Sequence, residues 1–249
     1  MIHVCVPTQH DAPTLGLLLW KVRQVFQEDP REYQLLVAFD RADEESRAVL
    51  DRYRNALPVS IIEVDGPVGV GALMDELFRH ALNASDRHKR DAVITLPGDF
   101  SVSPIVFLDL VRRFESGADL VIAEADRARG STMDRLVRRS ARWLLRPGLS
   151  VPGVHDLLSG VSLIRLITLR RVMRDPAEAL LVTDGPCAFA ELVARAASEA
   201  RQISAISIPA DGIRPPARAR SAAALALDLF RAGRTLRVPE PETAVQRVS

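Results

Sequence analysis

Acidic and small polar residues recur at fixed places in this sequence, immediately after short apolar runs. HVCVP is followed by Thr8, Gln9, His10 and Asp11, and LLVAF by Asp40 and Asp43. IIEV is followed by Asp65 and the run GPVGVG, and AVITLP by Gly98, Asp99, Phe100 and Ser101. If the apolar runs are parallel strands, these residues stand at the carboxyl ends, where open α/β sheets bind their ligands. Carboxylates gathered along one edge repel one another unless a cation or hydrogen-bond donors offset the charge. A nucleotide offers donors in its ribose hydroxyls, and an accompanying metal offers the cation.

Each signal also has a plainer reading. Asp11 could cap a helix beginning at Pro13, and Asp43 could cap the next one. The run Gly66 to Gly71 lacks the third spaced glycine of a dinucleotide fingerprint and the Lys-Ser or Lys-Thr of a P-loop, so alone it reads as a flexible turn. His10 and His155 have no second histidine at metal spacing and read as hydrogen-bonding surface groups. Ser159, in LLSGV, lacks the glycine that precedes a nucleophile elbow, so a hydrolase triad has no support.

The elements that must position these residues alternate regularly through the first half of the chain. Strands are expected over His3–Val6, Gln34–Phe39, Val59–Val64, Ala92–Leu96 and Leu120–Ala123. Helices are expected over Pro13–Gln27, Asp43–Asn55, Gly71–Ala84 and Pro104–Glu115. This is the pattern of an α/β fold, a mostly parallel sheet with helices on both faces. The second half reads as α+β material packed on it: an arginine-rich helix over Met133–Leu145, a strand-like run SGVSLIRL, helices over Thr168–Met173 and Ala188–Ala200, and a strand ISAISI. Past Pro209 the chain is rich in proline and arginine, with a short amphipathic helix over Ser221–Ala232; the end, PEPETAVQRVS, is expected to be disordered. One domain over 1–210 and a C-terminal helix with a flexible tail over 211–249 is the expected organisation.

Composition bounds the function class. With 249 residues, 47% hydrophobic and 26% charged, the chain can form one large core without disulfides or structural metal. A net charge of +1 argues against a protein made chiefly to coat nucleic acid. Cys5 and Cys187 form neither a ligand-spaced group nor a disulfide framework, which fits a reducing cytoplasm. The N-terminus does not look like a signal peptide, and the longest apolar runs fall short of the roughly 20 residues that span a bilayer. All but two of the 33 basic residues are arginine, Lys21 and Lys89 being the exceptions, so their clustering carries more information than their number.

Taken in order, the segments VCVPTQHDAPTLGLLL, LLVAFDRADEESRAVL, GPVGVGALMDELFRHAL, AVITLPGDFSVSP, GADLVIAEADRARG, MDRLVRRSARWLL, HDLLSGVSLIRL and CAFAELVARAASEARQISAISIP resemble glycosyltransferase family 2, especially its polyprenyl- and dolichyl-phosphate sugar synthases. The match is collinear from about Ile2 to about Leu236. It implies a GT-A fold, which is Rossmann-like, and inverting transfer from a nucleoside-diphosphate sugar with Mg²⁺ or Mn²⁺ at the diphosphate. By position, Pro7, Gln9 and Asp11 would line the base and ribose, with Asp40 and Asp43 adding a ribose or base contact. Gly69 and Gly71 would admit the nucleotide closely, Asp75 stands where the family often has asparagine, and Gly98, Asp99 and Ser101 would meet the diphosphate. Asp99 matches the second aspartate of the DXD pair and is the implied metal ligand. The first aspartate is Pro97 here, Val70 replaces the basic residue of the Gly-x-Gly turn, and Glu124-Ala125 replaces an arginine.

Arg135, Arg138, Arg139, Arg142 and Arg146 recur at helical spacing, which reads either as a solvated face or as a phosphate-binding one. In the resembled family this region lies near the acceptor phosphate and the membrane, so Arg127, Arg135, Arg139 and Ser159 are the implied acceptor contacts. The tail arginines around AALALDLF would suit an interfacial helix, or simple packing on the domain. The leading expectation is a cytoplasmic, metal-dependent sugar transferase acting on a phosphorylated lipid or another hydroxyl- or phosphate-bearing acceptor, peripheral on the inner face of the membrane if the tail helix binds lipid. A hydroxyl acceptor would need a base, for which Asp99, Asp156 and Glu191 are candidates. The alternative is a non-catalytic sugar-nucleotide-binding regulator or scaffold, favoured by Pro97 and Val70. A nucleotidyltransferase is disfavoured, because no glycine- and basic-rich loop follows the first strand.

Overall fold

The computed structural model describes residues 1–125, 132–146, 148–175, 178–208, 221–241 and 243–247. The chain alternates strand and helix through β1 (Ile2–Thr8), α1 (Ala12–Glu28), β2 (Tyr33–Asp40), α2 (Glu44–Tyr53), β3 (Val59–Val64), α3 (Val70–Ala84) and β4 (Ala92–Thr95). A 3₁₀ turn (Pro104–Val106) leads into α4 (Phe107–Glu115), followed by β5 (Leu120–Ala125), α5 (Thr132–Leu144), β6 (Ser162–Arg165) and α6 (Leu166–Val172). The chain continues with α7 (Pro186–Glu199), β7 (Ile203–Ile208), α8 (Ala222–Thr235) and β8 (Val245–Arg247).

Among the described residues the strands form one eight-stranded sheet in the order β3-β2-β1-β4-β6-β5-β7-β8. Every pairing is parallel except those of β6, which is antiparallel to both β4 and β5. The chain moves outward from β1 to β3 and returns to the other side of β1 as β4, so the order reverses between β1 and β4. A crevice opens at such a reversal, at the carboxyl ends of the strands.

Side-chain alternation divides the core between the two faces of the sheet. Val4 and Val6 of β1 join α1, α2 and α4 on one face, whereas Cys5 joins α3, α6, α7 and α8 on the other. In α1 the buried residues Leu15, Leu18, Leu19, Val22, Val25 and Phe26 follow the helical period, which is why the run folds as a helix despite Gly16. α5 packs against α8, with Val137 and Ala141 of α5 and Leu225, Leu229 and Ala232 of α8 in the same core.

The end of the chain differs from expectation. Val245–Arg247 is not disordered but pairs in parallel with β7, from Ile203↔Val245 to Ala205↔Arg247. Its physical reason lies in a side chain: Arg247 donates to Glu124 Oε2 at 2.9 Å and to the Gly153 carbonyl at 2.7 Å. Glu124 is 4% exposed, and such a carboxylate is stable inside only when paired and hydrogen-bonded. Composition alone hid this pairing, because a single long-range partner makes the strand.

Candidate functional site

The loop after β1 is built around Asp11. Its carboxylate does not cap α1, contrary to the capping reading; it turns back and accepts from Thr8 Oγ1 at 3.1 Å and from the Gln9 amide at 3.0 Å. That fold-back leaves His10 with φ 57°, a left-handed conformation for a non-glycine residue. His10 in turn donates its amide to Asp43 Oδ2 at 2.9 Å. Asp43 also accepts from the Ser46 amide at 3.0 Å and from Ser46 Oγ at 2.7 Å, so it caps α2 and ties that helix to the first loop. Burial raises its carboxyl, but the donors from Ser46 and His10 outweigh burial and hold it below the usual carboxylate range. Its carboxylate is thus inward-facing and positions the loop. Asp40, half-buried at the end of β2, accepts from the Ala42 amide at 2.9 Å in a tight turn.

Across the crevice, β4 ends at Thr95 and the chain turns through Leu96 to Ser101. Gly98 is needed there, since a Cβ at this position would lie 2.9 Å from Asp11 Oδ2 and 3.1 Å from the Pro7 carbonyl. This close approach brings the β1 and β4 loops together. The half-buried Asp99 accepts the Ser101 amide at 2.9 Å through Oδ1, and Phe100 between them is left-handed at φ 55°. Ser101 is therefore folded back beside Asp99 instead of extending the strand in line with it. Two non-glycine residues at positive φ, one in each loop of the same crevice, mark the strain that accumulates at functional sites. Pro97 packs toward the loop before β6: a Cβ on Gly160, itself at φ 78°, would meet Pro97 Cγ at 2.5 Å.

The third side of the crevice is the turn before α3. Gln9 Nε2 donates to the Val68 carbonyl at 2.6 Å, joining the first loop to GPVGVG. Gly69 and Gly71 leave room for a strap, residues 180–184, which carries Asp184. A Cβ on Gly69 would lie 2.5 Å from Asp184 Oδ1, and the Val70 amide at the N-terminus of α3 donates to that same oxygen. Asp184 sits in an irregular segment before α7 and carries no periodic signal; its only trace is an acidic residue followed by the helix-start pair Gly185-Pro186.

Two buried carboxylates hold the strap. Asp75, on α3 and 5% exposed, accepts from the Leu180 amide at 2.8 Å. Burial pushes its carboxyl up to about 6, against the opposing pull of the strap amides and Arg79. Glu191 on α7 is fully buried, and its Oε2 accepts from the Val182 amide at 3.1 Å, the Thr183 amide at 3.0 Å and Thr183 Oγ1 at 2.7 Å. Its Oε1 is bound to Arg195 at 2.7–2.8 Å. Glu191 is thus committed to the strap and Arg195, which corrects its place among the candidate bases.

On the far side, Asp156 is half-buried and accepts the Ala125 amide at 3.2 Å and the Leu158 amide at 2.8 Å. The Ser159 hydroxyl accepts the Val161 amide at 3.3 Å in the turn before β6. Arg127 lies outside the described residues, as do the side chains of Arg135 and Arg139 on α5. Arg142 and Arg146 stack on Trp143, their guanidinium carbons 5.3 and 5.6 Å from the ring centre.

Among the described residues no group of three His, Cys, Asp or Glu side chains could hold a metal by itself. Mg²⁺-like ions in phosphate chemistry commonly take one or two carboxylates and complete their shell with substrate phosphates and water. Asp99, one of several carboxylates at the crevice, fits an ion that arrives with a diphosphate and not a preformed cage.

The sequence matches the model of Glycosyl transferase family 2 over residues 3–158. No curated protein sequence matches the chain. Its fold is similar to glucosyl-3-phosphoglycerate synthase from Mycobacterium tuberculosis in complex with Mn²⁺, uridine-diphosphate and phosphoglyceric acid, at 18% identity and TM-score 0.58, over 93% of this chain and 75% of that one. It is also similar to S. aureus TarS, at 17% identity and TM-score 0.56, over 83% of this chain. A third similar structure is S. aureus TarS 1-349 in complex with UDP-GlcNAc, at 16% identity and TM-score 0.54, over 82% of this chain. The chain spans 35% of the TarS chain and 55% of the 1-349 form.

Proposed function

The chain belongs to glycosyl transferase family 2, whose chemistry is sugar transfer, and from that premise we propose that its crevice holds a uridine-diphosphate sugar and passes the sugar with inversion to a hydroxyl- or phosphate-bearing acceptor. The observation that carries this reading is the meeting of the Asp11 and Asp99 loops at the strand-order reversal, across Gly98. Uridine is named because structures similar in fold hold UDP, UDP-GlcNAc and, with Mn²⁺, UDP.

In this reading Gln9, Asp11 and Asp40 surround the base and ribose, while Asp43 and Ser46 hold the first loop in shape. Gly69 and Gly71 admit the strap and not the donor, which corrects their expected close contact with the nucleotide. A divalent ion arriving with the donor would be held by Asp99 and would neutralise charge growing on the departing diphosphate. The acceptor oxygen attacks the anomeric carbon as the bond from that carbon to the diphosphate oxygen breaks, and the nucleoside diphosphate leaves. A phosphate acceptor needs no base. For a hydroxyl acceptor we assign Asp184, exposed on the strap with its Oδ1 on the Val70 amide, in preference to Asp156, which is half-buried and accepts two backbone amides. With Asp99 engaged by the ion, it is not the base.

For the acceptor we favour a phosphorylated lipid. Leu136 and Trp143 on α5 and Leu227 and Phe230 on α8 are exposed, and Arg142, Arg146 and Arg234 stack on the two aromatic rings. Arginines flanking exposed aromatic and aliphatic groups suit an anionic membrane surface. Among the described residues no helix is long and apolar enough to cross a membrane, so such contact would be peripheral. Incubation with UDP-sugars, Mn²⁺ and polyprenyl phosphate should yield UDP and a glycosylated lipid. Release of UDP only with soluble acceptors would replace the lipid by a soluble acceptor. The second reading, a sugar-nucleotide binder without turnover, is favoured by Pro97, which fills the first DXD position and packs toward Gly160. Saturable UDP-sugar binding with no hydrolysis or transfer across a donor and acceptor panel would establish it.

A further inference from the structure

α7 starts beside the crevice and runs toward the amino end of β7, so Arg195, nine residues from the helix start, lies roughly 14 Å further along. There Arg171, Arg174, Arg195 and Arg237 line a cavity of about 250 Å³ together with Ser198 and Glu199. The plainer role of two of these arginines is helix capping. Arg171 Nη1 donates to the Glu199 carbonyl at the end of α7, and Arg237 Nη1 to carbonyls at the end of α8, including Leu236 at 2.6 Å. Capping accounts for one nitrogen of Arg171 and of Arg237 and not for the gathering of four arginines around one small cavity. Arg174 pairs with Glu199 at 2.7 Å and Arg195 with Glu191, so four cations meet two carboxylates. Asp175 and Glu240 stand next to the cavity-lining residues in sequence, and both are exposed. The bonds described occupy one or two nitrogens of each fork, and the remaining N–H groups have no protein partner among the described residues.

We propose that this cavity binds the phosphate group of a small phosphorylated molecule, and that its occupancy is felt at the crevice through Arg195 and Glu191. Forks already oriented by capping and pairing match phosphate oxygens two at a time, and a permanent charge suits a dianion. The volume admits a phosphate with a few carbons and is below that of a typical nucleotide pocket. The connection to the crevice is covalent and hydrogen-bonded throughout. An anion that draws the Arg195 fork loosens its grip on Glu191 Oε1, while Oε2 of the same carboxylate holds the Val182 and Thr183 amides next to Asp184. Only this second half of the inference rests on the donor site proposed above.

The test uses the whole chain with inorganic phosphate and pyrophosphate as probes at low ionic strength, and sodium chloride of matched ionic strength as control. Saturating phosphate should raise the melting temperature by roughly 3 °C or more. The Arg171→Ala/Arg174→Ala double variant should lose that rise, read against its own melting temperature in chloride because loss of the Arg171 cap lowers the baseline; the Asp99→Asn variant should keep it. The Arg171→Lys/Arg174→Lys variant should recover only part of it. No saturable binding, or a rise unchanged in the double alanine variant, overturns the site. UDP affinity measured with and without phosphate should differ by about fivefold or more in the wild type and not in the double variant. Saturable phosphate binding with UDP affinity unchanged overturns the coupling. If the response comes only from phosphatidic acid vesicles, the small-molecule source is wrong.

Discussion

The β1–β2 corner of the crevice and the strap opposite it each rest on a buried aspartate, and the two are held in opposite ways. Asp43 and Asp75 are both 5% exposed. Asp43 accepts three hydrogen bonds from Ser46 and His10, and its carboxyl lies below the usual range. Asp75 is met by the Leu180 and Leu181 amides and by Arg79, and its carboxyl is pushed up to about 6 by burial. Burial prevails at Asp75 and the donors from Ser46 and His10 prevail at Asp43, so the two carboxyls are shifted in opposite directions. The first corner is a fixed platform formed within the early, regular part of the fold. The strap is irregular chain held by side chains from α3 and α7, so it is the part of the crevice whose position can be tuned.

The largest expected effect comes from releasing the strap. Glu191→Ala leaves Arg195 without its partner and three strap donors unsatisfied, and should cost roughly 3–5 kcal/mol in denaturant unfolding, with Asp43 variants leaving the strap undisturbed. A loss below 1 kcal/mol would show that the strap does not depend on Glu191. Next, Asp75→Asn should stabilise the protein at pH 7 to 8 by up to about 3 kcal/mol, the free energy of holding that carboxylate ionised in place. Because its folded pKa is raised, the stability Asp75 provides is complete below the unfolded value and is lost as pH rises through about 6. The advantage of the Asp75→Asn variant over the wild type should thus appear between pH 4 and 7; a pH-independent difference would refute the cause.

Asp43→Ala is the counterpart and should destabilise by about 2 kcal/mol at neutral pH through loss of a cap and of the His10 tie. Here the folded pKa is depressed, so the contribution is present at neutral pH and disappears as pH falls below the usual carboxylate range. If Asp43→Ala and Asp75→Asn change stability in the same direction at pH 7, the contrast between the two corners fails. The smallest effect is Gly69→Ala. Its Cβ would displace the Asp184 carboxylate, so kcat for a hydroxyl acceptor should fall by roughly tenfold while the melting temperature stays nearly constant.

The same contrast explains what could be read from residues alone. β1 to β5 alternate with helices in an apolar rhythm that each segment carries locally, and the edge residues Asp11, Asp40 and Asp99 follow at once from where those strands end. Asp184, by contrast, reaches the crevice through contacts with α3 and α7 that are distant in sequence, and no periodicity announces it. Asp11 looked like a cap because its position relative to Pro13 allows one; the competing donors Thr8 and Gln9 took the carboxylate instead. β8 was invisible because one ion pair, Arg247 with Glu124, fixes it across 123 positions. Glu124 itself stands where the resemblance places an arginine, and this pairing is what it does in this chain.

Calorimetric titration of UDP into the wild type and into Asp99→Asn, each with and without Mn²⁺, asks whether the crevice holds a nucleoside diphosphate through an ion on Asp99. With Asp99 as the ion's ligand, the wild type should bind UDP saturably and more tightly with Mn²⁺, and Asp99→Asn should bind at least about tenfold more weakly with the Mn²⁺ dependence gone. Equal affinities in the two proteins, or no binding of UDP by the wild type at millimolar concentration, would contradict this reading.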